Sequence, residues 1–273
     1  MTNKSVLKKI KSLTFPDPKE YWGAVAMLDA LGTRERDASA AREYLEVIQV
    51  VVNDLVHLAN IQLADSRYVK PSVAAKIDFD ILAFGDTLVI SAGVPAGREA
   101  DSNSIGEALG LVSSVARDAV YHGIQSGILF RGAVASGMFI KDKSLILGPC
   151  VTEAAAWYDK TDWIGVVLAA RTGVEWGPKI ENIWSEYPVP VKAASRGIDM
   201  QPMYAMNWAN QYIALGGGYE SVLLACRRAF AAAPIPFGAE SKARHTLAHL
   251  DFMRRETEIK MKAPKKRGKK ARR

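Results

Sequence analysis

The stretch WGAVAMLDALGTRER, residues 22–36, decides how the chain is read. From Gly23 to Leu28 no side chain is polar, and then Asp29 arrives, followed by small residues, Gly32 and a charged cluster. A run that short and apolar predicts a buried strand. A carboxylate at its end is costly unless a cation meets it.

The flanking sequence gives the strand its neighbours. Residues 37–64, DASAAREYLEVIQVVVNDLVHLANIQLA, carry apolar side chains at Leu45, Ile48, Val51, Val52, Leu55, Leu58 and Leu63. That spacing predicts a long amphipathic helix, with Asp37 or Ser39 as its cap. AAKIDFDILAF then alternates through Ile77, Phe79 and Ile81, and TLVIS follows after only Gly85-Asp86. Two apolar runs joined this way predict a β-hairpin, with glycine first in a type II′ turn. A loop, AGVPAGREADSNS, leads to a second helix, IGEALGLVSSVARDAVYHG, and to the strand ILFRGAVASGMFI.

The order strand, helix, strand, strand, helix, strand is the ferredoxin-like split βαβ arrangement, an α+β fold with a βαββαβ core. A right-handed crossover through the first helix makes the second strand parallel to the first, so both end at one sheet edge. Asp29 and Asp86 are therefore expected to be neighbours in space.

Further on, GPCVTEAAAWY reads as a helix opening at Gly148-Pro149, and WIGVVLAA as a buried strand. ESVLLACRRAFAAA and SKARHTLAHLDFMRRETEIKMK read as later helices, extra elements beyond the core. The proline- and tryptophan-bearing segment 177–210 shows no assignable period. One domain is expected over residues 1–257, with its core at about 20–175.

Composition agrees with a packed soluble domain: 273 residues, 49% of them hydrophobic. No run reaches the roughly 18 uninterrupted apolar residues that would span a bilayer, and the Lys-rich start lacks a secretory core, so a cytoplasmic location is expected. Cys150 and Cys226 lack metal-ligand spacing and read as buried free thiols. Of 36 Lys and Arg residues, nine fall in the last 14 positions, leaving 27 against 29 acidic groups, so the body is near neutral. The tail, residues 258–273, is expected to be disordered and solubilising, and nucleic acid is not the expected partner.

Two aspartates converging at a sheet edge, with ALGTR running into a helix N-terminus, suit a metal nucleoside triphosphate. Paired carboxylates can bridge two divalent cations about 4 Å apart, and a helix N-terminus offers N–H groups to phosphate. Taken singly, Asp29 reads as a helix cap and Gly85-Asp86 as a turn.

Together these residues resemble the catalytic domain of class III nucleotidyl cyclases. The matching blocks are Asp29 to Gly32, Gly85-Asp86, RGAVASG from Arg131 to Gly137, and GPCV from Gly148 to Val151. The resemblance implies that Asp29 and Asp86 hold two divalent cations, Mn2+ or Mg2+, with the carbonyl of Ala30 as a further ligand. It implies that Leu31, Gly32 and Thr33 receive the triphosphate, that Arg131 contacts phosphate, and that a head-to-tail homodimer encloses the sites. Arg131 reads equally well as an ion pair at a strand end.

The departures carry information too. Where purine cyclases read their base with polar residues, this chain has Leu82 and Leu145. Where the family supplies an Asn and an Arg for the transition state, it has Thr152 and Ala156. In this it resembles the pyrimidine cyclases of bacterial Pycsar anti-phage systems, which implies conversion of UTP, or CTP, to a cyclic monophosphate read by a separate effector. The alternatives are an inactive cyclase-like nucleotide-binding module and an RNA-binding protein acting through its tail. Replacing Asp29 or Asp86 by Ala is expected to abolish turnover without unfolding the chain, because a lone carboxylate removed from a metal cluster relieves repulsion.

Other signals count for less. His245 and His249 share a helix face without a third zinc ligand, Gly216 to Gly218 lacks a phosphate-loop context, and Tyr44 reads as core. Ser136 has no positional claim as a nucleophile. Arg34, Arg36 and Arg67 are candidates for a base carbonyl, although each reads more simply as a surface charge.

Overall fold

The computed structural model describes residues 19–31, 38–97, 100–142, 145–180, 182–193, 197–232 and 240–262. The opening stretch is strand β1 (Lys19–Leu31). Helix α1 (Ala38–Ala64) leads through a short turn of helix to β2 (Asp78–Phe84), and the hairpin returns along β3 (Thr87–Pro95). Helix α2 (Ser102–Gln125) and β4 (Leu129–Asp142) complete the βαββαβ unit. β3 runs four residues beyond the expected TLVIS, because Ala92, Gly93, Val94 and Pro95 continue the pairing with β1. Asp101 caps α2 by accepting from the Ser104 amide at 2.7 Å.

The sheet order begins β2-β3-β1-β4, antiparallel throughout, as in a ferredoxin-like core. β2 is therefore parallel to β1, as the crossover argument required. Beyond β4 the sheet continues through β6 (Gly165–Leu168), parallel to β4, to β8 (Gly197–Met206) and the edge strand β7 (Trp184–Ala193). Short β5 (Leu145–Leu147) folds back on β4, and α3 (Pro149–Trp157) follows it.

The unassigned segment 177–210 is thus largely a hairpin of the same sheet, which extends past residue 175. Pro188 and Pro190 are tolerated because β7 lies at the edge, and Pro202 of β8, opposite Pro188, lies outside the β6 to β8 pairing of Val167 with Ala205. Tyr187, Val189 and Val191 supply its buried face.

Alternate residues of β1 face two layers. Ala24, Ala26 and Leu28 join Leu88 and Ile90 beneath Ile48 and Leu55 of α1 and Leu109 and Val112 of α2. Tyr21 and Val25 face the other side with Val89 and Phe139, under Cys150 and Ala154 of α3. There Gly93, Gly23 and Gly137 stand in one cross-strand row. A methyl on Gly23 would lie 2.0 Å from the Ala92 carbonyl oxygen, and one on Gly93 would lie 2.8 Å from the Phe139 ring. The bare backbone makes room for Phe139, which stacks on Tyr21 at 5.4 Å.

By length and composition, residues 41–64 of α1 could cross a bilayer, a signal that counting uninterrupted apolar residues passes over. In this fold α1 is the crossover between two strands and packs on α2. The longer of the later helices are α4 (Ala170–Trp176), α5 (Gly218–Ala232) and α6 (Glu240–Lys262), with short helical turns at Gly177–Lys179, Asn210–Tyr212 and Ile213–Gly217. α6 runs five residues into the stretch expected to be a disordered tail. Its acidic residues, Glu256 and Glu258, interrupt the positive charge, and its Asp251 pairs with Arg254 and Arg255 along the helix. The rest of the tail lies outside the described residues.

Candidate functional site

The cation that meets Asp29 is Arg131. β1 and β4 pair so that the two residues are opposite one another on the sheet face that carries α3. Arg131 donates to Asp29 Oδ2 from Nη2 at 2.7 Å and from Nε at 2.9 Å. Its Nη1 donates to the carbonyls of Asp159 at 3.1 Å and Thr161 at 3.3 Å. Both side chains are largely buried, 10% and 15% exposed, so this is an interior charge pair with fixed geometry. The ion pair read for Arg131 is present, with Asp29 as its partner.

Asp86 sits beside this pair. Phe84 faces Thr87 across the two-residue turn, and Gly85 has φ +57°, a conformation such a turn asks of its first central residue. The Asp86 carbonyl accepts the Ala30 amide at 2.8 Å, and Thr87 stands opposite Asp29. Two acidic residues 57 positions apart therefore share one sheet edge, as the topology predicted.

Other expected residues divide. The Ala30 side chain is buried against the helix layer, leaving its carbonyl as the group with chemistry to offer. Leu31 is half-buried, while Gly32, Thr33, Arg34, Arg36 and the cap at Asp37 lie outside the described residues. Leu82 is on the Asp29 face, in register with Val89 and Met27, and packs with the Tyr21 and Phe139 cluster. Leu145 is exposed on β5. Thr152 and Ala156 lie one turn apart on the exposed side of α3, with the Thr152 hydroxyl donating to the Gly148 carbonyl at 3.1 Å. Arg67 is spent on Asp65 and lies past the far end of α1, away from Asp29, so it does not serve this site.

Sequence reasoning missed Lys192 of β7. Its Nζ donates to the Asp159 carbonyl at 2.8 Å, the oxygen that also takes Arg131. Burial of its stem, together with the neighbouring charges of Arg131 and Lys242, holds this ammonium below the usual lysine range. Its signal was hidden in a segment whose prolines obscured the strand.

His245 and His249 do not form a zinc pair. His245 Nδ1 is 3.1 Å from the Asp162 carboxylate, whereas His249 is enclosed by Trp163, Tyr187 and Phe252. Burial lowers the His249 pKa to about 3, so it stays neutral. Cys150 and Cys226 are buried free thiols whose pKa values burial pushes up to about 12. Tyr44 is a core residue, Ser136 is buried with its amide donating to Thr172, and Gly216 to Gly218 belong to the helical junction entering α5.

Among the described residues no three His, Cys, Asp or Glu side chains cluster as a metal site. Asp29, Asp86 and the Ala30 carbonyl are instead a sparse oxygen set. That donor chemistry fits Mg2+ or Mn2+, which bind through one or two carboxylates and complete their shells with water and substrate phosphates.

No protein-family model matches the chain, and no curated protein matches it. Among solved structures it is similar to the guanylyl cyclase domain of the RhoGC fusion protein from the aquatic fungus Blastocladiella emersonii, a double mutant crystallised as a monomer. The identity is 12%, the TM-score 0.38, and the match covers 70% of this chain and 98% of that one.

Proposed function

We propose that this protein is a nucleotidyl cyclase acting on a pyrimidine nucleoside triphosphate, UTP before CTP. The observation that carries the reading is the shared edge: Asp29 and Asp86 joined through the 2.8 Å Ala30 to Asp86 bond, with Arg131 held on Asp29. This arrangement supports the order of blocks in which the sequence resembles class III cyclases.

In this reading Asp29, Asp86 and the Ala30 carbonyl hold two divalent cations, Mn2+ or Mg2+. When bound, these acidify the ribose 3′-hydroxyl and neutralise the polyphosphate. The 3′-oxygen bonds to the α-phosphorus as the bond to the β-phosphate oxygen breaks, pyrophosphate leaves, and the hydroxyl proton passes to water. Arg131 and Lys192 face the polyphosphate, and their fixed hydrogen bonds to the 159–161 carbonyls keep them oriented before substrate arrives. Leu31, Gly32 and Thr33 receive the triphosphate in this reading. Leu82 and Leu145 present apolar surface where purine cyclases read their base, which favours the pyrimidine.

Exposed Phe84, Leu145 and Leu147 on the Asp86 side and on β5 support a homodimer with its sites at the interface. The product then serves as a cytoplasmic signal for a separate effector in antiviral defence. The second reading, a catalytically silent nucleotide-binding module, is favoured by one observation: exposed Ala156 offers no guanidinium where the family places one. RNA binding through the tail is the third.

Incubating the purified protein with each of the four triphosphates and manganese, and identifying products by mass, tests the reading. Cyclic UMP or cyclic CMP is expected. No cyclic product from any of the four would sustain the silent module instead.

A further inference from the structure

One face of α6 grips the segment that aims the site's two cations. Lys242, His245, Thr246 and His249 follow the i, i+3, i+4, i+7 spacing of a single helix face. Lys242 Nζ lies 3.3 Å from the Asp162 carboxylate, and the Ser241 hydroxyl also bonds to it. His245 Nδ1 lies 3.1 Å from the same carboxylate and 3.0 Å from the Asp162 carbonyl, two acceptors that place the proton on Nδ1. The Thr246 hydroxyl accepts the Ile164 amide at 2.8 Å and donates to the Lys242 carbonyl at 2.7 Å. His249 packs on the Trp163 ring at 4.3 Å. Residues 162, 163 and 164 are thus each held by a residue of the first turns of α6.

The other side of this segment faces the site. The Asp159 and Thr161 carbonyls take Arg131, and the Asp159 carbonyl takes Lys192. β7 closes the frame, with the Asp162 amide donating to Pro190 at 2.8 Å and the Lys192 amide donating to Lys160 at 2.9 Å. A carboxylate only 5% exposed, Asp162, joins the helix to the turn. Burial opposes its charge, yet the hydrogen bonds from Ser241 and Lys242 and the charges of Lys242 and His245 outweigh burial and hold its pKa below the usual range.

We propose that α6 is a positioning clamp, in which Lys242 and His245, through Asp162 and the 159–161 carbonyls, fix the direction in which Arg131 and Lys192 meet a bound polyphosphate. The inference rests on the proposed function for its ligand, but the mechanical link from His245 to Arg131 stands apart from it. His245 is a positioning residue and touches no substrate.

The test uses the full chain and two readouts: binding of tripolyphosphate with manganese, and hydrogen exchange at the Arg131 Nε–H by nitrogen-15 NMR. His245→Leu removes the donor and is expected to weaken tripolyphosphate about tenfold and speed Arg131 Nε–H exchange by a similar factor. His245→Gln, which keeps a donor, restores both. Thr257→Val removes a buried hydroxyl bonded to the Met253 carbonyl on the same helix, away from the turn, and leaves both unchanged. Lys242→Met stands in for His245→Leu if that variant does not fold. Wild-type affinity and exchange in His245→Leu, or equal losses in Thr257→Val, overturn the clamp. If the wild type binds no tripolyphosphate while Arg131 exchange still responds to His245→Leu, the proposed function fails and the clamp stands.

Discussion

Replacing Arg131 by Met measures what the interior charge pair contributes. The guanidinium makes two hydrogen bonds to Asp29 and two to backbone carbonyls, and neither side chain of the pair is more than 15% exposed. Removing one partner of a buried pair costs about 3–5 kcal/mol, since the remaining charge stays out of water without compensation. At about 2–4 °C per kcal/mol for a domain of this size, Arg131→Met should melt roughly 6–20 °C below wild type. Asp29→Asn keeps the shape but leaves the guanidinium uncompensated, and should fall at the lower end of that range. The double variant should be about 2 kcal/mol more stable than the sum of the single losses, because the second change removes the charge the first exposed.

Urea unfolding of wild type and the three variants, compared at a common m-value, reads the cycle. Additive losses, or an Arg131→Met within about 1 kcal/mol of wild type, would refute the reasoning. The expectation that Asp29→Ala spares the fold is corrected by the same geometry. Asp29 is not a lone carboxylate relieved by removal; it is Arg131's partner, and inactivity in its variants counts as chemistry only where folding has been measured.

Gly23→Ala should fail to fold or lose more than about 4 kcal/mol, because the new methyl meets backbone on the paired strand rather than a movable side chain; circular dichroism and yield decide. The unfolded chain takes up a His249 proton near pH 6.5 that the native chain refuses until about pH 3, so stability falls with pH across that window. His249→Phe should flatten the fall by about 2 kcal/mol between pH 8 and pH 5 in denaturant titrations. Asp162, with its pKa lowered, contributes stability that is present above its unfolded value of about 4 and is lost as pH drops through the native value. Asp162→Asn should therefore be less stable at neutral pH and lose less on acidification. Truncation after Lys262 should leave melting and turnover unchanged, whereas the RNA-binding reading requires it to abolish a salt-dependent affinity for RNA; truncation after Thr257 would cut α6 itself.

The parts of the fold legible in the sequence were those whose periodicity was unbroken. The apolar run to Leu28, the alternation through Ile77 to Ile81 and the Gly85-Asp86 turn are local signals, and their order fixed the sheet edge that Asp29 and Asp86 share. The β7 and β8 hairpin was illegible because Pro188, Pro190 and Pro202 argue against strands unless the strand is known to be an edge, as β7 is, or to run beyond its pairing on the proline's side, as β8 does at Pro202. Arg131 was visible as a candidate, but its choice of Asp29 follows from the β1 to β4 register, which no local pattern states. Lys192 was hidden with its strand. The spacing of His245 and His249 correctly put both on one helix face; what that face meets, Asp162 and Trp163, is tertiary information.

Product formation from UTP with manganese, by wild type and by Asp86→Asn side by side, tests the central claim most directly. Asp86 contributes its backbone carbonyl to the Ala30 bond, so Asp86→Asn keeps that link while changing the carboxylate. The account predicts cyclic UMP of the expected mass from wild type and none from an Asp86→Asn protein of unchanged melting temperature. Cyclisation by Asp86→Asn at the wild-type rate would contradict it.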